Sequence, residues 1–167
     1  MPLTLTYDIP RRRGEWTKRW LPVAASQTWN LGDPLSLDAN GRVIRSAANN
    51  AAITDAQRPI GLAGSAASGL AQGTLVEVEV PEFSGEFRVP VNHATPASAV
   101  TALTQVGETA DTAGFQLFLT SAGILTVRID NTTNPVVDIR KIDDTFPVGE
   151  QFGFVWVRPI LTAWGNV

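Results

Sequence analysis

The sequence predicts an all-β protein: a small β-barrel or β-sandwich of about ten short strands, with an extended N-terminal arm. Three observations predict it. Thr74-Leu75-Val76-Glu77-Val78-Glu79-Val80 alternates strictly, with valines on one face and carboxylates on the other, the period of a half-buried strand. Asn40-Gly41 stands between two alternating runs, Pro34 to Leu37 and Arg42 to Arg45, the strongest short-range hairpin signal because both central residues of a type I′ turn take positive φ. Fourteen glycines and eleven prolines punctuate the chain too often for long helices.

In order, residues 1–15 read as a basic arm, interrupted by Pro2, Pro10 and Gly14 so that no helical period can run through it. Residues 16–167 form the body, one domain at this length, large enough to bury roughly 70% of its open-chain surface. Trp16 to Ala25 reads as extended, and Pro22 places it at a sheet edge or strand boundary. The hairpin of 34–45 follows. Ser46 to Gln57 is small and polar, and reads as a loop. Arg58 to Gly64 is a short strand whose glycines admit a close neighbour. Glu86 to Val91 returns after Thr74–Val80 through the Phe83-Ser84-Gly85 turn, and Pro90 implies an edge position. Thr95 to Val106 fits a short helix, with Thr95 as cap and Pro96 at its first position, but the alternation of Val100 to Val106 favours extended structure. A second hairpin is expected at 115–129 and strands at 136–142 and 152–158. The last of these is apolar on both faces and suits a central strand.

Laying Leu35 to Val43 on Leu117 to Leu125 matches the apolar alternation and the turn glycine without a gap. Pro59-Ile60 then answers Pro135-Val136, and Gly73 with the strand after it answers Gly149 with its own. One reading is an internal duplication of about 29–91 and 100–161, each half needing the other to close a core; the other is that any two β-hairpins share alternation and a turn glycine.

Composition removes several classes of function. There is no cysteine, hence no disulfide framework, thiolate nucleophile or sulfur-ligated zinc. No apolar run approaches the ~20 residues of a membrane span, and Arg11-Arg12-Arg13 leads into polar residues, unlike a secretory signal. A soluble chain, made in the host cytoplasm and not exported by the usual route, is the expectation. His93 is the only histidine, so a catalytic triad would depend on it alone; a hydrogen-bonding role in a turn is the simpler reading. Asp143-Asp144, with Asp138 and Glu150, lacks the spacing of a calcium loop and reads as a solvated acidic turn. The glycines of 61–69 lack the ending of a phosphate loop. We therefore expect no enzyme, no cofactor and no metal.

What remains is binding. Only 17% of residues are charged and 44% are apolar, which points to apolar surface covered by a partner subunit. Residues 1–20 hold Arg11, Arg12, Arg13, Lys18 and Arg19 against Asp8 and Glu15, a local +3 in a chain of net charge −3. Such an arm can pair with an acidic surface on a neighbour, while the acidic body repels nucleic acid. Trp16, Trp20 and Trp164 read as interface anchors. Exposed indoles also stack on sugar rings, so a carbohydrate-binding or host-attachment module is the alternative.

Leu21-Pro22-Val23-Ala24-Ala25-Ser26-Gln27, Gly32 to Val43, Pro59-Ile60-Gly61-Leu62-Ala63, Gly73 to Val80 and Gly149 to Arg158 together resemble the head decoration, or cement, proteins of tailed bacteriophages. The resemblance implies a small β-barrel or β-tulip, commonly a homotrimer. It implies a place on the outer surface of the virion, at junctions between subunits of the major capsid protein, where the protein stabilises the head. No catalytic residue, nucleic acid or membrane belongs to that role. Arg11, Arg12, Arg13, Trp16, Lys18, Arg19, Trp20 and Trp164 are then the expected capsid and subunit contacts.

Overall fold

The computed structural model describes residues 10–107 and 114–165; residues 1–9 of the expected arm lie outside that range. Among the described residues there are fourteen strands and no α-helix. They are β1 (Arg12–Arg13), β2 (Trp16–Pro22), β3 (Gln27–Trp29), β4 (Pro34–Leu37), β5 (Val43–Arg45), β6 (Ala51–Ile53), β7 (Gly61–Ala63), β8 (Ala67–Leu70), β9 (Leu75–Pro81), β10 (Glu86–Asn92), β11 (Gln116–Leu119), β12 (Leu125–Arg128), β13 (Val137–Ile142) and β14 (Phe154–Pro159). The fold is nearly all-β and sandwich-like, built of several sheets, none of which closes into a barrel.

One sheet runs β2-β9-β7-β4-β5. A second runs β13-β14-β10-β12-β11-β6 with β1 added to β10, and β3 pairs β8. The two larger sheets share one wiring. In the first, β2 ladders with β9, β9 with β7, β7 with β4 and β4 with β5. In the second, β10 ladders with β14, β14 with β13 and β11 with β12, and the bridge Phe115↔Val137 joins β13 to the β11 side. Parallel contacts draw the ends of each row together, Val23↔Val43 in one and Val91↔Val127 in the other. The repeated wiring thus covers residues 16–81 and 86–159, because β10 stands to β14 as β2 stands to β9. The division at 29–91 and 100–161 drawn from the sequence groups β10 with the first row instead.

The hairpins match in detail. Leu35↔Arg45 and Leu37↔Val43 answer Leu117↔Val127 and Leu119↔Leu125. Gly41 and Gly123 turn at φ 73° and 77°. The Asn40-Gly41 turn differs from the expected type I′, since only Gly41 has positive φ. The Asp38 carboxylate is the cause: it accepts the N–H groups of Asn40 and Arg42 at 2.8 and 2.9 Å, which builds a longer loop with one left-handed residue.

Each row has its own core. Val23, Trp29, Leu35, Val43, Ile60, Val76 and Val78 fill the first. Phe87, Val89, Val91, Leu117, Val127, Ile139, Val155, Val157 and Trp164 are among those filling the second. Two elements stitch them: Leu62 of β7 belongs to the second core, and β6 pairs with β11. That β6 falls where a loop was expected follows from its composition, since two alanines give no period; pairing with β11 and the burial of Ile53 in the second core hold the strand. Residues 95–106 are two single-turn 3₁₀ helices, Pro96–Ser98 and Leu103–Gln105, with Val100 bridged to Gln151, in place of a strand. Pro90 is not on an edge strand, because β10 has neighbours on both sides. Its missing N–H falls where β10 passes from β1 to β12.

Candidate interface at the β2 edge

Among the described residues β2 ends its sheet, and its side away from β9 pairs with no strand. Val23 N–H donates to Thr74 at 2.9 Å and its carbonyl accepts from Gly73 at 2.9 Å, whereas Ala24 N–H turns the other way, to Val43. Main-chain groups alternate in direction along a strand, so odd-numbered residues of β2 bond to β9. The N–H and C=O of Lys18 and Trp20 face outward.

The register sets the side chains. Lys18↔Glu79, Trp20↔Glu77 and Pro22↔Leu75 share one face; Thr17↔Val80, Arg19↔Val78 and Leu21↔Val76 share the other. On the first face Trp20 is 62% exposed and Leu75 59%, an apolar pair beside the ion pair of Lys18 Nζ with Glu77 Oε1 at 2.8 Å. The second face leads to a cleft of about 290 Å³ lined by Arg19, Ile60, Val80, Phe83, Leu161 and Trp164 among others. Phe83, at the tip between β9 and β10, is 77% exposed.

The basic run is largely neutralised within the chain. Arg12 pairs with Glu79 and donates to the Ala63 carbonyl. Burial draws its guanidinium below the ordinary value, while Glu79 and Glu77 oppose that. Arg13 donates to Glu86 Oε2 at 2.6 Å and lies over Trp156 at 4.3 Å. Arg158 reaches the other oxygen of Glu86 at 2.7 Å. The Arg11 carbonyl accepts from Arg88 N–H. Residues 10–15 are therefore docked on the body, and the carboxylates expected on a neighbour are the chain's own. Glu77 and Glu79, read as a wet face, are their partners.

Comparison with family models, with curated proteins and with solved structures finds no match to this chain.

Trp16 and Trp164 flank Phe87, with ring centroids at 6.2 and 6.3 Å. Trp164 is 3% exposed and donates Nε1–H to the Val136 carbonyl at 2.8 Å. It is a core residue of its own chain, not an interface anchor, because the turn after β14 folds it under the second core. Of the eight predicted contact residues, the structure brings Lys18, Arg19 and Trp20 together on one exposed strand and leaves Arg11 exposed nearby in sequence. Leu75, Phe83 and Leu161 were missed. Leu75 was visible as the first apolar residue of the alternating strand, set opposite the valine phase.

His93 Nδ1 accepts from Thr95 N–H at 2.9 Å, a turn contact. Asp143 is buried, not solvated: it pairs with Arg88 at 2.8 Å, which lies 4.0 Å from the Phe154 ring centroid. Burial pushes the Asp143 carboxyl up, but bonds from Thr145 and the charge of Arg88 hold it below its ordinary value. Among the described residues no three His, Asp or Glu side chains gather as a metal site, and no helix is long and apolar enough to cross a membrane.

Proposed function

We propose that this chain is a structural protein of a tailed-phage head that binds the outside of the shell at junctions between major capsid protein subunits, associates with itself, and stabilises the head. The observation that carries the reading is the β2 edge: outward main-chain groups, the exposed Trp20–Leu75 pair, and Lys18 and Arg19 on one short strand. Apolar surface rimmed by charge marks contact with another protein, and multivalent attachment multiplies modest contacts. The sequence segments that resemble decoration proteins include part of this strand and all but the end of β9. We read the two rows as a duplicated pair of small barrel-like units, each drawn round by its parallel contact. Trp20 is the most exposed of the five indoles, and a glycan site would rest on it; a strand edge suits a protein better than a sugar.

The test mixes the purified protein with empty phage heads and images them by electron microscopy. Regular protrusions are expected. Replacing Trp20 and Leu75 together by serine lowers occupancy at least tenfold, about 1.4 kcal/mol, with an unchanged circular dichroism spectrum. Bare heads with the unaltered protein overturn the function; full occupancy with the double variant removes this face from it.

A further inference from the structure

The two rows differ at one equivalent place. On β10, the edge opposite β14 holds an added strand: Arg12↔Phe87 and Arg13↔Glu86 pair antiparallel, and Arg88 N–H donates to the Arg11 carbonyl at 2.8 Å. The ladder Phe87↔Val157 and Val89↔Val155 corresponds to Arg19↔Val78 and Leu21↔Val76. Glu86, Phe87 and Arg88 thus correspond to Lys18, Arg19 and Trp20. On β2 that slot pairs with no strand among the described residues, and Lys18, Arg19 and Trp20 are all exposed.

We propose that this slot on β2 takes an added strand from residues 3–9 of a second copy of the chain. The donor reads Leu3-Thr4-Leu5-Thr6-Tyr7-Asp8-Ile9, an unbroken alternation in which one face is apolar and the other polar. Strand addition draws affinity from main-chain hydrogen bonds and specificity from sites for alternate side chains. The outward N–H and C=O of Lys18 and Trp20 supply the first. The cleft between Arg19, Phe83 and Leu161 supplies the second, taking the apolar side chains of the donor. The donor's polar face, with Asp8, then lies on the side of Lys18.

The position of Pro10 favours a neighbour as donor. Pro10 is buried against Gly32, which bonds to Ala63 of β7, two strands in from β2. The same copy's segment would have to turn back across β7 and β9, over ground Arg12 already covers through Glu79 and Ala63. A neighbour's segment meets no such detour. The inference rests on the self-association proposed above and not on the capsid.

Light scattering on the full-length protein tests it with two variants. Leu5→Pro breaks the donor strand. Trp20→Pro removes an N–H that faces away from β9, so the chain's own ladder stays intact. The unaltered protein is expected at a multiple of 17.9 kDa, each variant at the single-chain mass, and an equimolar mixture of the two at twice that mass, since one donor and one acceptor survive. A single-chain mass for the unaltered protein at 200 µM, set here at roughly 200-fold above a micromolar dissociation constant, overturns the proposal. So does a Leu5→Pro variant that associates as the unaltered protein does; self-association then stands and the strand is wrong. If Trp20→Pro fails to fold, Leu5→Pro alone decides.

Discussion

Glu86 receives two guanidinium groups from opposite ends of the chain, Arg13 and Arg158, and this shows why the basic run misleads when read locally. Charge counted along residues 1–20 is unbalanced, but the balancing carboxylates Glu77, Glu79 and Glu86 stand far along the chain, and only the fold brings them in. Trp164 misleads for the same reason: an indole near a chain end reads as free to anchor, whereas its N–H is spent on Val136. Other polar contacts are short-range. Asp130, for instance, sits beside Arg128, which donates to both its oxygens at 2.8 and 3.0 Å and holds its carboxyl down at about 2. A folded value below the unfolded one, near 4, means that its contribution is complete above about pH 4 and lost as pH falls through about 2. The pair lies at the surface within reach of solvent, its side chains 21% and 17% exposed, so that contribution stays near or below about 1 kcal/mol. Carbon-detected NMR should follow the Asp130 carboxyl titrating near 2, and Arg128→Met should return it toward 4.

At the scale of elements, the alternating strands β9, β10 and β14 and the two hairpins were legible, because each carries its own period and turn glycine. The strands that escaped, β1, β3, β6 and β8, are short and paired to partners remote in sequence, which leaves no local pattern. Glycine separates the two situations. Gly41 turns at φ 73° with nothing within 4 Å of an added Cβ, so Gly41→Ala meets only backbone strain, about 1 kcal/mol. Gly61 has no such φ, but a Cβ there would stand 2.5 Å from the Glu79 carbonyl oxygen. Gly61→Ala must push β7 from β9, at a cost of about 2–3 kcal/mol. Urea denaturation should rank Gly61→Ala as the more damaging; the reverse order would mean that β7 and β9 yield more readily than their register implies.

For the whole molecule, two cores in one chain raise the question of whether the halves unfold separately. Leu62 and β6 belong by sequence to the first row and pack or pair with the second, so opening one row strips apolar cover from the other. Tryptophan fluorescence and far-ultraviolet circular dichroism should therefore give coincident urea transitions; a plateau between them would show two independent units. The docking of β1 carries a consequence for biosynthesis. Arg12 and Arg13 leave the ribosome more than seventy positions ahead of their ladder partners Phe87 and Glu86. At roughly 5–20 residues per second, the N-terminal strand waits several seconds for its slot on β10. β9, which backs the equivalent slot on β2, ends only at Pro81, so at that rate the two slots become available to it within about a second of each other.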